Sequence, residues 1–196
     1  VLQKIIPFSK NLTIVYGETP KNAIRPGPHY SNGKISIPYR YVFQLRKYLN
    51  KRKHIHRYRN VNYLVFASLV FALLHEAGHA LIDQHDIPIV GREEDVVDNF
   101  ASYVLLTHFA DGRDLIQAAA VIFDLQSRTG KRIKSKEMQG EHRLHKQRYF
   151  SLLCNLHGHQ PGGTLIGFSQ RRAASCVREY RQLHAAWGQL LVSLPQ

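Results

Sequence analysis

Cysteine is nearly absent from this chain, acidic residues are scarce, and no apolar run is long; each shortage narrows what the molecule can be. The cysteines are Cys154 and Cys176 alone. With no Cys-x-x-Cys pair there is neither a zinc knuckle nor a redox motif. The two thiols read either as one disulfide joining two C-terminal helices, which needs an oxidising compartment, or as two buried thiols. Spacing alone does not decide between them. The longest apolar run, Tyr63 to Leu74, stops at a His-Glu pair. It falls short of the roughly 20 residues that span a bilayer, so a buried core helix is expected and no transmembrane segment. Internal repeats and low-complexity tracts are missing as well. No signal peptide stands in the chain, and it opens at Val1 rather than Met, a start compatible with removal of a leader.

Aspartate and glutamate number 14 against 27 lysines and arginines, a formal charge of +13. That excess raises nucleic acid as a partner, because clustered cations release counterions from a phosphate backbone. One cluster comprises Arg46, Lys47, Lys51, Arg52, Lys53, Arg57 and Arg59, and another runs from Lys131 to Lys136. Neither comes with a helix-turn-helix, zinc-finger or RNA-recognition pattern, so both read first as solvated surface. The basic surface otherwise favours acidic partners or substrates.

At 196 residues, 44% of them hydrophobic, the chain is long enough for one substantial core and short for two. One domain spanning 1–196 is expected. Leu12 to Tyr16 and Lys34 to Pro38 read as strands, separated by a turn-rich piece from Thr19 to Gly33. Pro38 suits an edge strand better than a sheet interior, and an exposed edge is a docking rail for an extended peptide. Helices are expected over Tyr39 to Leu49, Val61 to Ile82, Arg92 to Ala110, Arg113 to Arg128, Glu141 to His157 and Ser169 to Leu194. The fold class is therefore α+β, mainly helical from about residue 41, with a small N-terminal sheet within about 1–40 packed on the Val61 to Ile82 helix. That helix is apolar nearly all round and belongs at the centre.

Within it stands His75-Glu76-Ala77-Gly78-His79. The spacing sets two imidazoles one helical turn apart on one face, suited to a shared metal ion, with Glu76 beside them as a general base. Ala77, Gly78 and Ala80 are small enough for other segments to pack close. A catalytic zinc needs a third protein ligand and an open position for water. Arg92-Glu93-Glu94-Asp95-Val96-Val97-Asp98 offers the candidates. Glu94 is preferred because Asp98, four residues on, shares its helical face and can accept a hydrogen bond from a ligating histidine. Glu93, Asp95 or Asp98 as ligand, or an acidic first turn favoured only by the helix dipole, are the alternatives.

His-Glu-x-x-His followed by Glu-x-x-x-Asp resembles the gluzincin type of zinc metallopeptidase. More closely, His75 to Ile82, Ile87 to Phe100, Glu141-His142, Gln147-Arg148-Tyr149, Cys154, Cys176, Glu179 and Trp187 resemble a bacterial family described as metallopeptidases of otherwise unknown function. The resemblance implies a zincin-like fold and an exported protein, secreted or periplasmic. The expected chemistry is peptide hydrolysis with one Zn2+ on His75, His79 and Glu94, and Glu76 taking the proton of the activated water. An oxyanion donor is sought among His142, Arg148 and Tyr149, each of which also has a bland role as helix cap, surface ion pair or core. The competing readings are a zinc-binding sensor or interaction module without turnover, and a basic nucleic-acid binder.

Overall fold

The structure is a computed structural model and describes residues 5–17, 27–52, 60–128, 138–139, 144–162 and 167–195. Three short strands open the fold: β1 (Thr13–Gly17), β2 (His29–Ser31) and β3 (Lys34–Pro38). They form one sheet in the order β1-β3-β2, with β1 parallel and β2 antiparallel to β3. Helices make up most of the remainder, so the class is α+β with a small N-terminal sheet, as expected.

Strand β2 lies inside the segment read as turns. Ser31 pairs with Lys34, so Asn32 and Gly33 alone close the hairpin, at φ 49° and 73°. Positive φ at both positions is the two-residue turn that Asn-Gly favours, because it matches the twist of the strands it joins. The second difference concerns Pro38, expected on an edge strand. β3 is the central strand, flanked on both sides. Its proline is tolerated because it is the last residue, with φ −70°, and the chain turns directly into a helix.

That helix, α1 (Tyr39–Asn50), leads to α2 (Val61–Gln84), started by Asn60, whose side chain accepts from the Asn62 N–H at 2.8 Å. α2 contacts α1, β2, β3 and the next two helices, α3 (Glu93–His108) and α4 (Gly112–Ser127). It buries Leu64, Ala67, Phe71, Leu74, Ala77 and Leu81. The helix extends past the apolar run to 24 residues and is apolar enough by length and composition to cross a membrane. However, 67% of its most apolar window is buried by the rest of the protein, as in a core helix.

The chain finishes with α5 (His145–His159) and α6 (Gln170–Ser193), packed on each other. Cys154 and Cys176 join them in a disulfide, with Cα atoms 5.0 Å apart. Gly158 lets the two helices approach: a Cβ there would run into the Cys176 carbonyl and Tyr180 Cβ. Of the basic run, Arg46 and Lys47 lie on α1 and Lys51 and Arg52 just after it; Lys53, Arg57, Arg59 and Lys131 to Lys136 lie outside the described residues.

Candidate metal centre

Helical spacing stacks His75 and His79 on one side of α2, ring centroids 5.0 Å apart and planes at 81°. Opposite them is the first turn of α3, brought round by a link in which Asp86 (φ 48°) and Gly91 (φ 116°) adopt left-handed backbone. Glu93, Glu94 and Asp95 occupy that turn, where the helix dipole favours negative charge. Gly78 makes the approach possible. A Cβ on it would lie 2.9 Å from Val97 Cγ1 and 3.0 Å from Phe100 Cδ1, closer than carbon atoms pack.

Both imidazoles turn Nε2 towards Glu94. His75 Nε2 is 3.1 Å from Glu94 Oε2, and His79 Nε2 is 3.6 Å from Glu94 Oε1. Each Nδ1–H donates to a different carboxylate: His75 to Asp98 Oδ1 at 2.8 Å, His79 to Glu93 Oε1 at 2.6 Å. A carboxylate on Nδ1 fixes the ring and keeps Nε2 for a ligand, the outer-shell arrangement of metal-bound histidine. One donor atom from each of His75, His79 and Glu94 lies within 4.8 Å of the others. Metal bonds of about 2.0–2.1 Å in a tetrahedron put donors roughly 3.3–3.5 Å apart, so the spacing fits a single ion. The donor types fit as well: two imidazoles and a carboxylate are a catalytic zinc set.

Asp98 is held from behind. Arg148, on α5, donates from Nε to Oδ2 at 2.8 Å and from Nη2 to Oδ1 at 2.6 Å, while its guanidinium lies 4.2 Å from the centre of the Phe123 ring. Burial pushes the Asp98 pKa up, but the Arg148 charge and the His75 contact outweigh it and bring it down to about 2. His75 shows the converse. Burial lowers its pKa, while hydrogen bonds to Asp98 and Glu94 and the charge of Asp98 raise it to about 9. His79 moves up for the same reasons: burial opposes, and Glu94 and Glu93 prevail. Protons and a metal ion compete for these nitrogens.

Glu76 is buried beside the histidines, and its Oε2 accepts the main-chain N–H of Tyr30 at 2.7 Å. Tyr30 belongs to β2, and its side chain ties the hairpin to α2: the hydroxyl donates to Asp83 at 2.6 Å and accepts from the Gly33 N–H at 3.1 Å.

The structure thus brings together His75, Glu76, His79, Glu94 and Asp98. Arg148, a candidate for substrate or oxyanion contact, is engaged with Asp98. Tyr149 packs against Phe150, ring centroids 5.1 Å apart, with Lys146 Nζ 4.6 Å from its ring centre. His142 lies outside the described residues. Sequence reasoning missed two contributors. The sequence offers Glu93 as an alternative ligand or as first-turn charge favoured by the helix dipole, and neither reading includes its contact with His79. Tyr30 acts through its amide, which leaves no trace in residue type.

Two imidazoles and a carboxylate with donor atoms within 4.8 Å of one another form a group that could hold a metal ion. The chain belongs to the family described as "Putative metallopeptidase", whose model matches residues 1–191. No curated protein and no solved structure matches it. Membership makes peptides or proteins the substrate class and a metal ion the expected cofactor. The disulfide accords with an oxidising environment outside the cytoplasm.

Proposed function

We propose that the chain is a zinc-dependent metallopeptidase of the gluzincin type, built as one zincin-like domain and acting in the periplasm or outside the cell. His75, His79 and Glu94 hold the ion, Glu76 is the general base, and Glu93 and Asp98 orient the two rings. The supporting observation is the double convergence: both Nε2 atoms face Glu94 while both Nδ1 atoms are held by separate carboxylates.

Bound zinc supplies Lewis acidity to the scissile carbonyl and lowers the pKa of the attacking water. Glu76 takes the proton of that water and delivers it to the leaving amine. The Tyr30 N–H donates to Oε2 of Glu76 and holds the carboxylate in place, with acceptor capacity left for the proton. Asp98 and Glu93 keep Nδ1 of each imidazole protonated, so Nε2 stays the ligand atom. His142 and Tyr149 are the proposed contacts for the developing oxyanion.

The test is Glu76→Gln. Zinc content should match wild type while chelator-sensitive cleavage of a peptide library falls by about 10²- to 10⁴-fold, the usual worth of a general base. Unchanged cleavage removes Glu76 from the mechanism. Stoichiometric zinc in a wild type that cleaves nothing would leave a binding module.

A further inference from the structure

Three helices meet at one carboxylate. α2 supplies His75, α3 supplies Asp98, and α5 supplies Arg148, in an unbroken run from guanidinium to carboxylate to imidazole. Both oxygens of Asp98 are taken by the Arg148 fork, and Oδ1 also accepts from His75. A carboxylate gripped on both oxygens cannot rotate about its last bond, so the direction of the His75 Nδ1–H bond is set by where α5 puts Arg148. The guanidinium is itself fixed by the Phe123 face, and only 13% of its side chain is exposed. Charge gives a second reason for it. Glu76, Glu93, Glu94 and Asp98 crowd one small region; a divalent ion offsets two of those four charges, and Arg148 offsets one of the remainder.

We propose that Arg148 is a positioning residue for the metal centre, acting through Asp98 on His75, and not a contact for substrate or oxyanion. This rests on the metal-site reading above. With both Nε and Nη2 committed to Asp98, the fork geometry matters as well as the charge, so lysine is an incomplete replacement.

The experiment is a double-mutant cycle on zinc affinity. Dissociation constants are measured by competition with a chromogenic chelator for wild type, Arg148→Gln, Asp98→Asn and the double variant, with thermal melting in parallel. Arg148→Gln should weaken zinc binding about 10- to 100-fold, the usual cost of losing an outer-shell partner. The same change in the Asp98→Asn background should alter affinity less than about twofold, since the route through Asp98 is already cut. Arg148→Lys should recover part of the loss; it also stands in if the glutamine variant does not fold. An equal loss in both backgrounds, or lowered melting with unchanged zinc affinity, overturns the proposal and leaves Arg148 a packing residue. A wild type that binds no zinc overturns the metal-site reading together with it, and that outcome is distinct because it precedes any substitution.

Discussion

The two histidines of α2 stand one turn apart and face the same carboxylate, yet their surroundings differ. His75 is 4% exposed, and its partner Asp98 is 11% exposed and locked to Arg148. His79 is 17% exposed, and its partner Glu93 is 47% exposed at the rim. One arm is built into the protein interior and the other borders solvent. The difference teaches that two equivalent ligands can be held by unequal means: the inner one by a charge network that folding completes, the outer one by a single contact that water screens.

The largest expected effect separates the arms by stability. Asp98→Ala strands the buried Arg148 charge and should cost about 3–5 kcal/mol of unfolding free energy, whereas Glu93→Ala should cost under about 1 kcal/mol. Urea melts of the two variants read this directly, and equal losses would erase the distinction. Next in size is Gly78→Ala, which acts on both arms at once by pushing Val97 and Phe100, and α3 with them, away from α2. A loss of about 1–3 kcal/mol is expected, together with weaker zinc binding. Wild-type affinity in this variant would mean that α3 adjusts without moving its carboxylates. The smallest effect sharpens the contrast through ionic strength. Any zinc affinity lost in Glu93→Gln should shrink between about 0.1 M and 1 M salt, where the screening length falls from about 10 Å to 3 Å. The loss in Asp98→Asn should stay nearly constant, because that carboxylate is out of reach of bulk ions.

Much of this was legible beforehand because helical periodicity is local. The spacing of His75 and His79 and the pairing of Glu94 with Asp98 follow from a repeat of 3.6 residues, and the apolar stretch before His75 marks the buried helix that is α2, Val61–Gln84. What escaped was set by partners distant in sequence. The His79 contact to Glu93 and the Arg148 grip on Asp98 depend on how α3 and α5 dock, which no spacing encodes. For Arg148 the sequence leaves two uses open, an oxyanion or substrate contact and an ion pair with a carboxylate, and the fork contact to Asp98 decides for the pair. β2 was a different kind of omission. Asn32-Gly33 is a short-range hairpin signal, but it sits at the end of a segment whose prolines and glycines read as turns throughout. The central position of β3 was hidden because a terminal proline looks the same on an edge strand as at a strand-to-helix junction.

The grip of Tyr30 on Glu76 belongs to the polypeptide and not to a side chain. Every residue except proline carries that amide, so sequence drift at position 30 leaves the contact standing as long as the hairpin keeps its place. An alanine substitution there reaches the amide only indirectly, by removing the phenol that ties the hairpin to α2, whereas Tyr30→Pro or replacement of the peptide bond by an ester removes the donor itself.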